Sequence, residues 1–422
     1  MLIPLFFKCF RLMLKQSPSL KEIADNLHIS KSQLLSFENG EYLSNDLIEE
    51  LICYYEIKNI SLNNEGIFIN NKVENTWDLK GSEDLINNYV SEIIDDAYYL
   101  SKYKTDFILN KLDLLFPYHL LHEYVFRILN SNYIINDAYF IDIEEVLLST
   151  INLFSNEAQA IFKLARSYNC RLNGEYEISK KIVDEVISFS YNNIKIKIIC
   201  KYYLFLISNN ENDYSKSINL RDDLNLLFKE MPNKFRELKF MVAKSIMYKT
   251  LNALDRAIEI DRLGMGLSKY FDKTLYAIFS YNLAWHLSLQ GKYNEAIEYY
   301  SIALETSPDN TTCFELAKCY YAEEDYTNCL KYINKSREFG MPIYKEYSNL
   351  FCDWLEVMLE SSNNKKCETI LLEIESKYKD IMHPDSRNFL YTQLSNYYKK
   401  EDDLKKALEY SLLTSNYYNY FI

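Results

Sequence analysis

Glycine and proline are scarce in this chain, whose 422 residues include only 8 glycines and 7 prolines. Because these residues supply most turns, their scarcity predicts long uninterrupted helices and argues against barrels and doubly wound sheets. The glycine-rich phosphate-binding loops GxGxxG and GxxxxGK[ST] do not occur anywhere in the sequence. Kinases, P-loop ATPases and dinucleotide-dependent oxidoreductases are therefore disfavoured, and we predict no cofactor.

Positive charge is also in deficit, with 47 Lys and Arg against 60 Asp and Glu and a formal net charge of -13 at pH 7. Wrapping nucleic acid along the whole chain would need a basic surface, so any DNA contact must be local. The basic stretch lies at residues 8–31, which hold five Lys or Arg against two acidic residues.

The nine cysteines form no CxxC pair and no regular framework, which is typical of free thiols in a reducing cytoplasm. The first 14 residues are apolar, but Lys8, Arg11 and Lys15 interrupt them and no small-residue cleavage site follows. We therefore expect a cytoplasmic protein that is not secreted and has no membrane partner.

Metal and catalytic sites have little support in the sequence. His119 and His122 lie three residues apart beside Glu123, but nothing nearby supplies further ligands at a recognised spacing. We predict no metal site and expect these histidines on a solvated helix surface. The five scattered histidines offer no Ser-His-Asp or Cys-His arrangement, so no catalytic residue is predicted.

The stretch from Ser19 to Gly40 carries the most specific pattern, SLKEIADNLHISKSQLLSFENG, which predicts two short helices joined by a tight turn. Ser30 is the expected N-cap of the second helix, its Oγ accepting from the N–H of Ser32 or Gln33. The second helix is therefore the candidate DNA-reading element. The apolar side chains expected in the core of this motif are Ile23, Ala24, Leu27, Ile29, Leu34, Leu35 and Phe37.

This motif resembles the helix-turn-helix of Cro/repressor-type DNA-binding domains, whose pattern ends in Glu-Asn-Gly, as it does here before residue 41. With the following helix, the resemblance covers roughly residues 5–61. Leu20 stands where many members have Gln, and His28 where they have Gly. The resemblance implies binding of double-stranded operator DNA by a homodimer through Lys21, Ser30, Lys31, Ser32, Gln33, Ser36 and Asn39. A polar helix face is also expected wherever a helix is exposed to solvent. The alternative is therefore a domain that keeps this fold but has lost DNA affinity or contacts protein instead.

The rest of the chain repeats itself. The clearest unit is YNLAWHLSLQGKYNEAIEYYSIALETSP, which begins at Tyr281 and matches the tetratricopeptide pattern at its small, aromatic and turn positions. Aligned repeats place a small residue where the second helix of each pair crosses the first, since a large side chain would push the helices apart. These anchors are Ser179, Ser217, Ala257, Ala296, Cys329, Cys367 and Ala407.

These patterns predict an all-α chain, an N-terminal helix-turn-helix domain followed by a right-handed tetratricopeptide-repeat solenoid. The predicted segments are residues 1–61 for the helix-turn-helix domain, 62–82 for a linker with a short hairpin, 83–158 for a linker helix and degenerate repeats, and 159–422 for the tetratricopeptide repeats.

This domain order and length resemble the RRNPP family of peptide-responsive regulators, which includes the Rap, Rgg, NprR and PlcR groups. The resemblance implies a quorum-sensing transcription regulator that binds a short signalling peptide in the concave groove of the repeats. Amide side chains there suit the backbone of an extended peptide, and aromatic rings supply apolar pockets. Counting back from the anchors gives the groove residues Tyr202, Asn209, Lys249, Tyr281, Asn282, Trp285, Phe314, Lys318, Tyr321, Gln393 and Asn396.

Two other functions stay open. A Rap-like modulator would remove phosphate from a response regulator, and would need a positioned Gln or equivalent within residues 83–158, where none is recognised. A scaffold that binds protein but neither DNA nor peptide is the third reading. The many tyrosines of this chain, 38 in all, are equally suited to ordinary packing between helices.

Overall fold

The computed structural model describes residues 2–13, 18–40, 45–55, 60–63, 66–69, 79–99, 116–130, 138–188, 193–339, 345–359, 364–378 and 384–418. They form two compact units, an N-terminal unit of Met1–Glu237 and a C-terminal unit of Leu238–Ile422. None of the helices in these ranges is long and apolar enough to cross a lipid bilayer.

The N-terminal unit begins with four short helices and one hairpin. The helices are α1 (Leu2–Met13), α2 (Leu20–Asn26), α3 (Lys31–Glu38) and α4 (Asn45–Tyr54). Strands β1 (Ile60–Asn63) and β2 (Gly66–Ile69) pair antiparallel, with Ile60 opposite Ile69. The hairpin therefore lies at the start of the predicted linker, whose residues 64–65 and 70–78 fall outside the described ranges. The domain boundaries stay a prediction.

Three helices follow before the repeats. They are α5 (Leu79–Tyr99), α6 (Phe116–Asn130) and α7 (Ala138–Thr150), and a short 3-10 turn (Ile151–Leu153) ends this segment. Aromatic side chains fill its core, since the ring of Tyr124 lies 5.0 Å from that of Phe140 and 5.1 Å from that of Phe162. Edge and stacked ring contacts at these distances add to the stabilisation from burial.

Seven consecutive helix pairs make up the rest of the chain and confirm the predicted all-α repeat fold. The pairs are α8 (Asn156–Leu172) with α9 (Tyr176–Ser188), α10 (Ile194–Asn210) with α11 (Tyr214–Glu230), α12 (Lys234–Thr250) with α13 (Leu254–Ser268), α14 (Lys273–Leu289) with α15 (Tyr293–Thr306), α16 (Asn310–Ala322) with α17 (Tyr326–Glu338), α18 (Lys345–Leu359) with α19 (Asn364–Tyr378), and α20 (Pro384–Lys400) with α21 (Leu404–Tyr418).

Every predicted anchor is buried at the crossing of its helix pair, and none is more than 4% exposed. In two pairs, the helices approach so closely that serine hydroxyls of the two helices form a hydrogen bond. The hydroxyls of Ser167 and Ser179 lie 2.8 Å apart, and those of Ser208 and Ser217 also lie 2.8 Å apart. Small size therefore brings the helices together, and the hydroxyls satisfy one another where water is excluded.

Seven of the nine cysteines are buried and all nine are free thiols. Burial raises the pKa of Cys200 and Cys329 to about 12, which keeps these side chains protonated at neutral pH. Cys329 occupies an anchor position, so packing explains it.

A left-handed residue follows the first helix in all six pairs whose turn the structure describes, always five residues before the anchor. Two of these residues are glycine, whereas the other four carry a side chain that disfavours this conformation. They are Gly174 (φ 79), Asn212 (φ 60), Asn252 (φ 55), Gly291 (φ 74), Glu324 (φ 58) and Asp402 (φ 61).

This geometry predicts opposite effects for two matched substitutions. Glu324 is exposed, so Glu324→Gly removes backbone strain without losing packing, and should raise the free energy of unfolding by about 0.5–1 kcal/mol. A Cβ at Gly291 meets no atom within 4 Å, so Gly291→Ala adds only strain and should lower it by about 1 kcal/mol. Thermal unfolding of both variants measures the direction of each change. A lower free energy of unfolding in Glu324→Gly, or a higher one in Gly291→Ala, would contradict backbone strain as the cause.

Candidate functional sites

The candidate DNA-reading motif consists of α2, a tight turn and α3. Ser19 caps α2, its Oγ accepting from the N–H of Glu22 at 3.1 Å. The turn passes through His28 at φ 54, a left-handed conformation that glycine adopts more readily than other residues. The imidazole side chain costs up to about 1 kcal/mol relative to glycine at such a position.

The start of α3 is closed by a reciprocal pair of hydrogen bonds. Ser30 Oγ accepts from the N–H of Gln33 at 3.2 Å, and Gln33 Oε1 accepts from the N–H of Ser30 at 2.9 Å. The Ser32 hydroxyl lies 3.0 Å from that of Ser30. This capping box confirms the expected N-cap, and it gives Gln33 a structural role beside its predicted contact with a base.

The predicted DNA-contacting residues are all at least partly accessible. Lys21, Ser30, Lys31, Ser32, Gln33 and Asn39 are exposed and Ser36 is half-buried. Leu35 departs from its predicted core position, because 43% of its surface is exposed while Leu34 and Phe37 fill the interior. Leu34 and Phe37 are three residues apart and lie on the buried face of α3, whereas Leu35 lies outside that face.

A buried ion pair fixes α3 to α1. Arg11 donates from Nε and Nη2 to the two carboxylate oxygens of Glu38, both at 2.7 Å. Lys8 donates to Asn39 Oδ1 at 3.3 Å one turn earlier on α1. The Glu-Asn-Gly ending of the motif therefore anchors the candidate reading helix to α1.

α1 also packs against α6 and α7. The ring of Phe6 lies 6.4 Å from that of Phe116, and the thiol of Cys9 donates to the Thr150 hydroxyl at 3.7 Å. The helix that holds α3 is thus part of the same core as the helices that precede the repeats.

The candidate peptide residues of the C-terminal unit lie on the first helices of its pairs. The ammonium of Lys249 lies 4.2 Å from the ring centroid of the half-buried Trp285, and the ring of Tyr281 lies 5.4 Å from that of Tyr300. Such a cation over the face of tryptophan stabilises the pair by about 0.5–2 kcal/mol. It also holds a charge and an apolar surface side by side.

Lys318 on α16 contacts aromatic rings of both α16 and α20. Its ammonium lies 5.1 Å from the ring of Phe314, 4.6 Å from that of Phe389, and 2.7 Å from a carboxylate oxygen of Glu315. The pattern of the sequence identified Phe314 and Lys318 but not Phe389. Phe389 comes from another repeat, so only the three-dimensional fold could reveal this contact.

The amide side chains differ in accessibility. Asn396 is exposed and Gln393 is half-buried, as is Tyr321. Asn282 departs from its predicted groove position, because it is only 5% exposed and its Nδ2 has no acceptor among the described residues. A ligand therefore reaches Asn396 directly, whereas Asn282 must turn outwards first.

The N-terminal unit holds the other two predicted residues. Tyr202 is half-buried, and Asn209 has an Oδ1 atom without a donor in the described part of the chain. Sequence reasoning missed Arg171 and Tyr168, although Arg171 lies eight residues before its anchor, the same position as Asn209 in the next repeat. Extending the alignment to the first pair would have found both.

His119 and His122 contradict the expectation of a solvated surface, because they are only 6% and 1% exposed. The Tyr89 hydroxyl lies 2.7 Å from Nδ1 of His119 and 3.2 Å from Nδ1 of His122, and Nε2 of His122 lies 2.9 Å from Asp96. These partners come from α5, which covers this face of α6. Across the described residues, no group of three or more His, Cys, Asp or Glu side chains could hold a metal.

The single hydroxyl group of Tyr89 lies within hydrogen-bond distance of both imidazoles in this cluster. Tyr89 can donate to only one Nδ1 atom and must accept from the other, so the two histidines carry their protons differently. Burial lowers the pKa of His122, although Asp96 acts in the opposite direction. The neutral imidazole is therefore the form that the folded protein favours.

A lowered pKa predicts that acid destabilises this cluster. The unfolded chain binds a proton at His122 more readily than the folded chain does. The contribution of His122 to the free energy of unfolding is therefore fully present above the pKa of the unfolded side chain, about 6.5, and is lost as the pH falls below that value. We expect the melting temperature to fall less between about pH 7.5 and 5.5 in His122→Gln than in the original chain. His28→Asn, which changes an exposed imidazole and keeps a residue tolerant of the left-handed turn, is the control. An unchanged pH dependence in His122→Gln would contradict this role.

Comparison with known proteins supports the fold. No family model and no curated protein matches the chain. Among solved structures, it is similar to a Rap protein complexed with Competence and Sporulation Factor, at a TM-score of 0.61 and 11% identity, covering 80% of this chain and 99% of that one.

Two further solved structures are similar to this chain at low sequence identity. NprR in complex with its cognate peptide NprX gives a TM-score of 0.55 at 14% identity and covers 80% of this chain and 99% of that one. Aspartyl phosphate phosphatase F from Bacillus subtilis gives 0.54 at 15% identity and covers 82% and 96%. The chain thus has the helical tetratricopeptide-type fold of the Rap and NprR proteins, as the sequence resemblance predicted.

Proposed function

We propose that this chain is a cytoplasmic, peptide-responsive transcription regulator of the RRNPP type. In this proposal, a homodimer reads operator DNA with α3, and a short linear peptide binds the first helices of the repeats. The observation that carries the proposal is the row of lysine, aromatic and amide side chains at equivalent repeat positions, from Trp285 with Lys249 to Asn396. The similar structures include one NprR bound to a peptide.

The DNA-binding part rests on the polar surface of α3. Lys31 and Ser32 project from its exposed first turn, where backbone amides and the positive end of the helix favour a phosphate. One such helix reads only a half-site, and the net charge of -13 disfavours nonspecific binding elsewhere on the chain. A dimer and an operator with an inverted repeat follow from these two constraints.

The peptide-binding part rests on the chemistry of the first helices. Exposed amides accept from and donate to an extended backbone, while Trp285 and Phe314 offer apolar surface to its side chains. Lys249 and Lys318 lie over the faces of these rings, so a positive charge sits beside each apolar surface. A site of this kind favours a linear, partly apolar peptide over a folded partner.

A response-regulator phosphatase is the second candidate, because one similar structure is an aspartyl phosphate phosphatase. Residues 83–158 contain no glutamine, so the side chain that we expect such an activity to use is missing from that segment. A purely structural scaffold is the third, and the variants below separate it from the proposed function.

Substitutions on α3 test the DNA-binding part. Sites are first selected from a random duplex pool, and affinity is then measured on the selected site and on random DNA. Lys31→Ala should weaken both, because it removes a phosphate contact, whereas Gln33→Ala should lower affinity for the selected site by about tenfold or more if it reads a base.

The capping role of Gln33 requires a matched variant. Gln33→Glu keeps an acceptor for the Ser30 N–H but loses the amide donor, so α3 stays capped while base reading is lost. A ratio of selected to random affinity that stays unchanged in Gln33→Glu would show that Gln33 only caps the helix. Failure to select any duplex would contradict DNA binding.

Substitutions on the repeat helices test the peptide-binding part. We expect Asn396→Ala and Trp285→Ala each to weaken binding of peptides selected from a pool of short linear sequences by about tenfold, the loss typical of a central contact. Calorimetry measures this loss. Asn396 is exposed, so its substitution should leave the melting temperature unchanged.

Tyr270→Ala is the matched aromatic control. Tyr270 is 92% exposed in the turn between α13 and α14 and is not one of the predicted groove residues, so its removal should leave peptide affinity unaltered. Equal affinities for the original chain, Asn396→Ala and Trp285→Ala would show that the peptide binds elsewhere.

A further inference from the structure

We propose that the N-terminal unit binds a short peptide through Arg171, which binds a carboxylate of the peptide, and through the adjoining Asn209, which accepts from one of its backbone N–H groups. Both residues belong to the N-terminal unit and sit near the ends of α8 and α10. The inference rests on the proposed peptide-binding function and adds the charge of the ligand and the place where that charge is recognised.

The guanidinium of Arg171 is held in position but has no counterion in the part of the chain that the structure describes. It lies 4.9 Å from the ring centroid of Tyr168, and its buried Nε has no acceptor among the described residues. A place in the last turn of α8 favours a positive charge, yet it does not supply the missing acceptor. Since Arg171 is half-buried, the rest of its fork stays within reach of a ligand.

A second guanidinium increases the positive potential of this region. Arg236 is only 4% exposed and donates to the carbonyl oxygens of Ala97 and Tyr98 at the end of α5. Its closest charged or titratable neighbours are tyrosines, and burial lowers its pKa. The backbone oxygens satisfy its hydrogen bonds, but no described carboxylate neutralises its charge.

This pair contrasts with six of the eight other arginines of this acidic chain. Those six, which each lie within 4.0 Å of a carboxylate, are Arg11, Arg127, Arg166, Arg221, Arg262 and Arg337. Tyr202 and Tyr203 instead lie in the field of Arg171 and Arg236, and no carboxylate contributes at either tyrosine. Burial raises the pKa of Tyr202 to about 12, so its hydroxyl stays neutral.

The spacing of the two residues fits an extended peptide. Arg171 and Asn209 hold matching positions, eight residues before Ser179 and Ser217, on neighbouring first helices. Packed helices are about 10 Å apart, which equals about three residues of extended chain. The carboxylate therefore lies about three residues from the N–H that Asn209 accepts, and Arg171 can bind it bidentately.

Three pools of short N-acetylated linear peptides test the inference and distinguish the source of the carboxylate. The first has neutral side chains and a free C-terminus, the second is the same pool amidated, and the third is amidated with one Asp. Affinity selection uses the full chain and the variants Arg171→Gln and Arg171→Lys. Arg221→Gln on α11 is the charge-matched control in the same unit.

We expect the first or the third pool to bind at least about tenfold more tightly than the second, as loss of a charge-assisted pair predicts. This preference should disappear in Arg171→Gln, weaken in Arg171→Lys, which lacks the fork, and persist in Arg221→Gln. Whichever charged pool wins identifies a C-terminal or a side-chain carboxylate.

The opposite results are equally clear. Equal binding of all three pools, or a preference that survives Arg171→Gln, overturns the inference while peptide binding itself stands. If no pool binds the original chain, both the inference and the proposed peptide-binding function fail. Melting temperatures of the variants exclude loss of folding as the cause, because Arg171 is not part of the core.

Discussion

The close approach of two helices within each pair is the constraint on which the repeat fold depends. A small buried anchor allows the crossing, and a left-handed residue five positions earlier turns the chain back in time to make it. Four of the six turns of this kind use Asn, Asp or Glu despite the strain, so the crossing geometry outweighs a local cost of about 1 kcal/mol per turn. The first helices then present equivalent positions repeat after repeat, as Trp285 and Lys318 do in the C-terminal unit, each eleven residues before its anchor.

Helix α1 imposes a second constraint at the other end of the chain. The buried Arg11 and Glu38 pair ties it to α3, while Phe6 and Cys9 tie it to α6 and α7. A buried ion pair resists separation, because either partner left alone would be a desolvated charge. In the proposed regulator, a signal would therefore reach α3 through a shift of α1 and its neighbours within the N-terminal unit, and not through free movement of the reading helix.

The sequence predicted most of the fold because small anchors, caps and turns act locally. All seven anchors are buried, and Ser30 caps α3. It failed where long-range packing decides the outcome. His119 and His122 are polar by type, but α5 covers them from about thirty residues away in the chain. Phe389 reaches Lys318 from another repeat, and Leu35 is exposed because neighbouring side chains already fill the core of that motif.

Unsatisfied polar atoms provide the strongest physical argument for a ligand on the first helices. A buried donor or acceptor without a partner costs about 1–3 kcal/mol, so a stable fold retains few of them unless something else satisfies them. Arg171 Nε and Asn209 Oδ1 in the N-terminal unit, and Asn282 Nδ2 in the C-terminal unit, are such atoms. Each belongs to a first helix, and within the N-terminal unit a donor on Arg171 and an acceptor on Asn209 are groups that an extended peptide can complement. Tyr168 beside Arg171 and Trp285 on α14 add apolar surface, which apolar side chains of a peptide can cover.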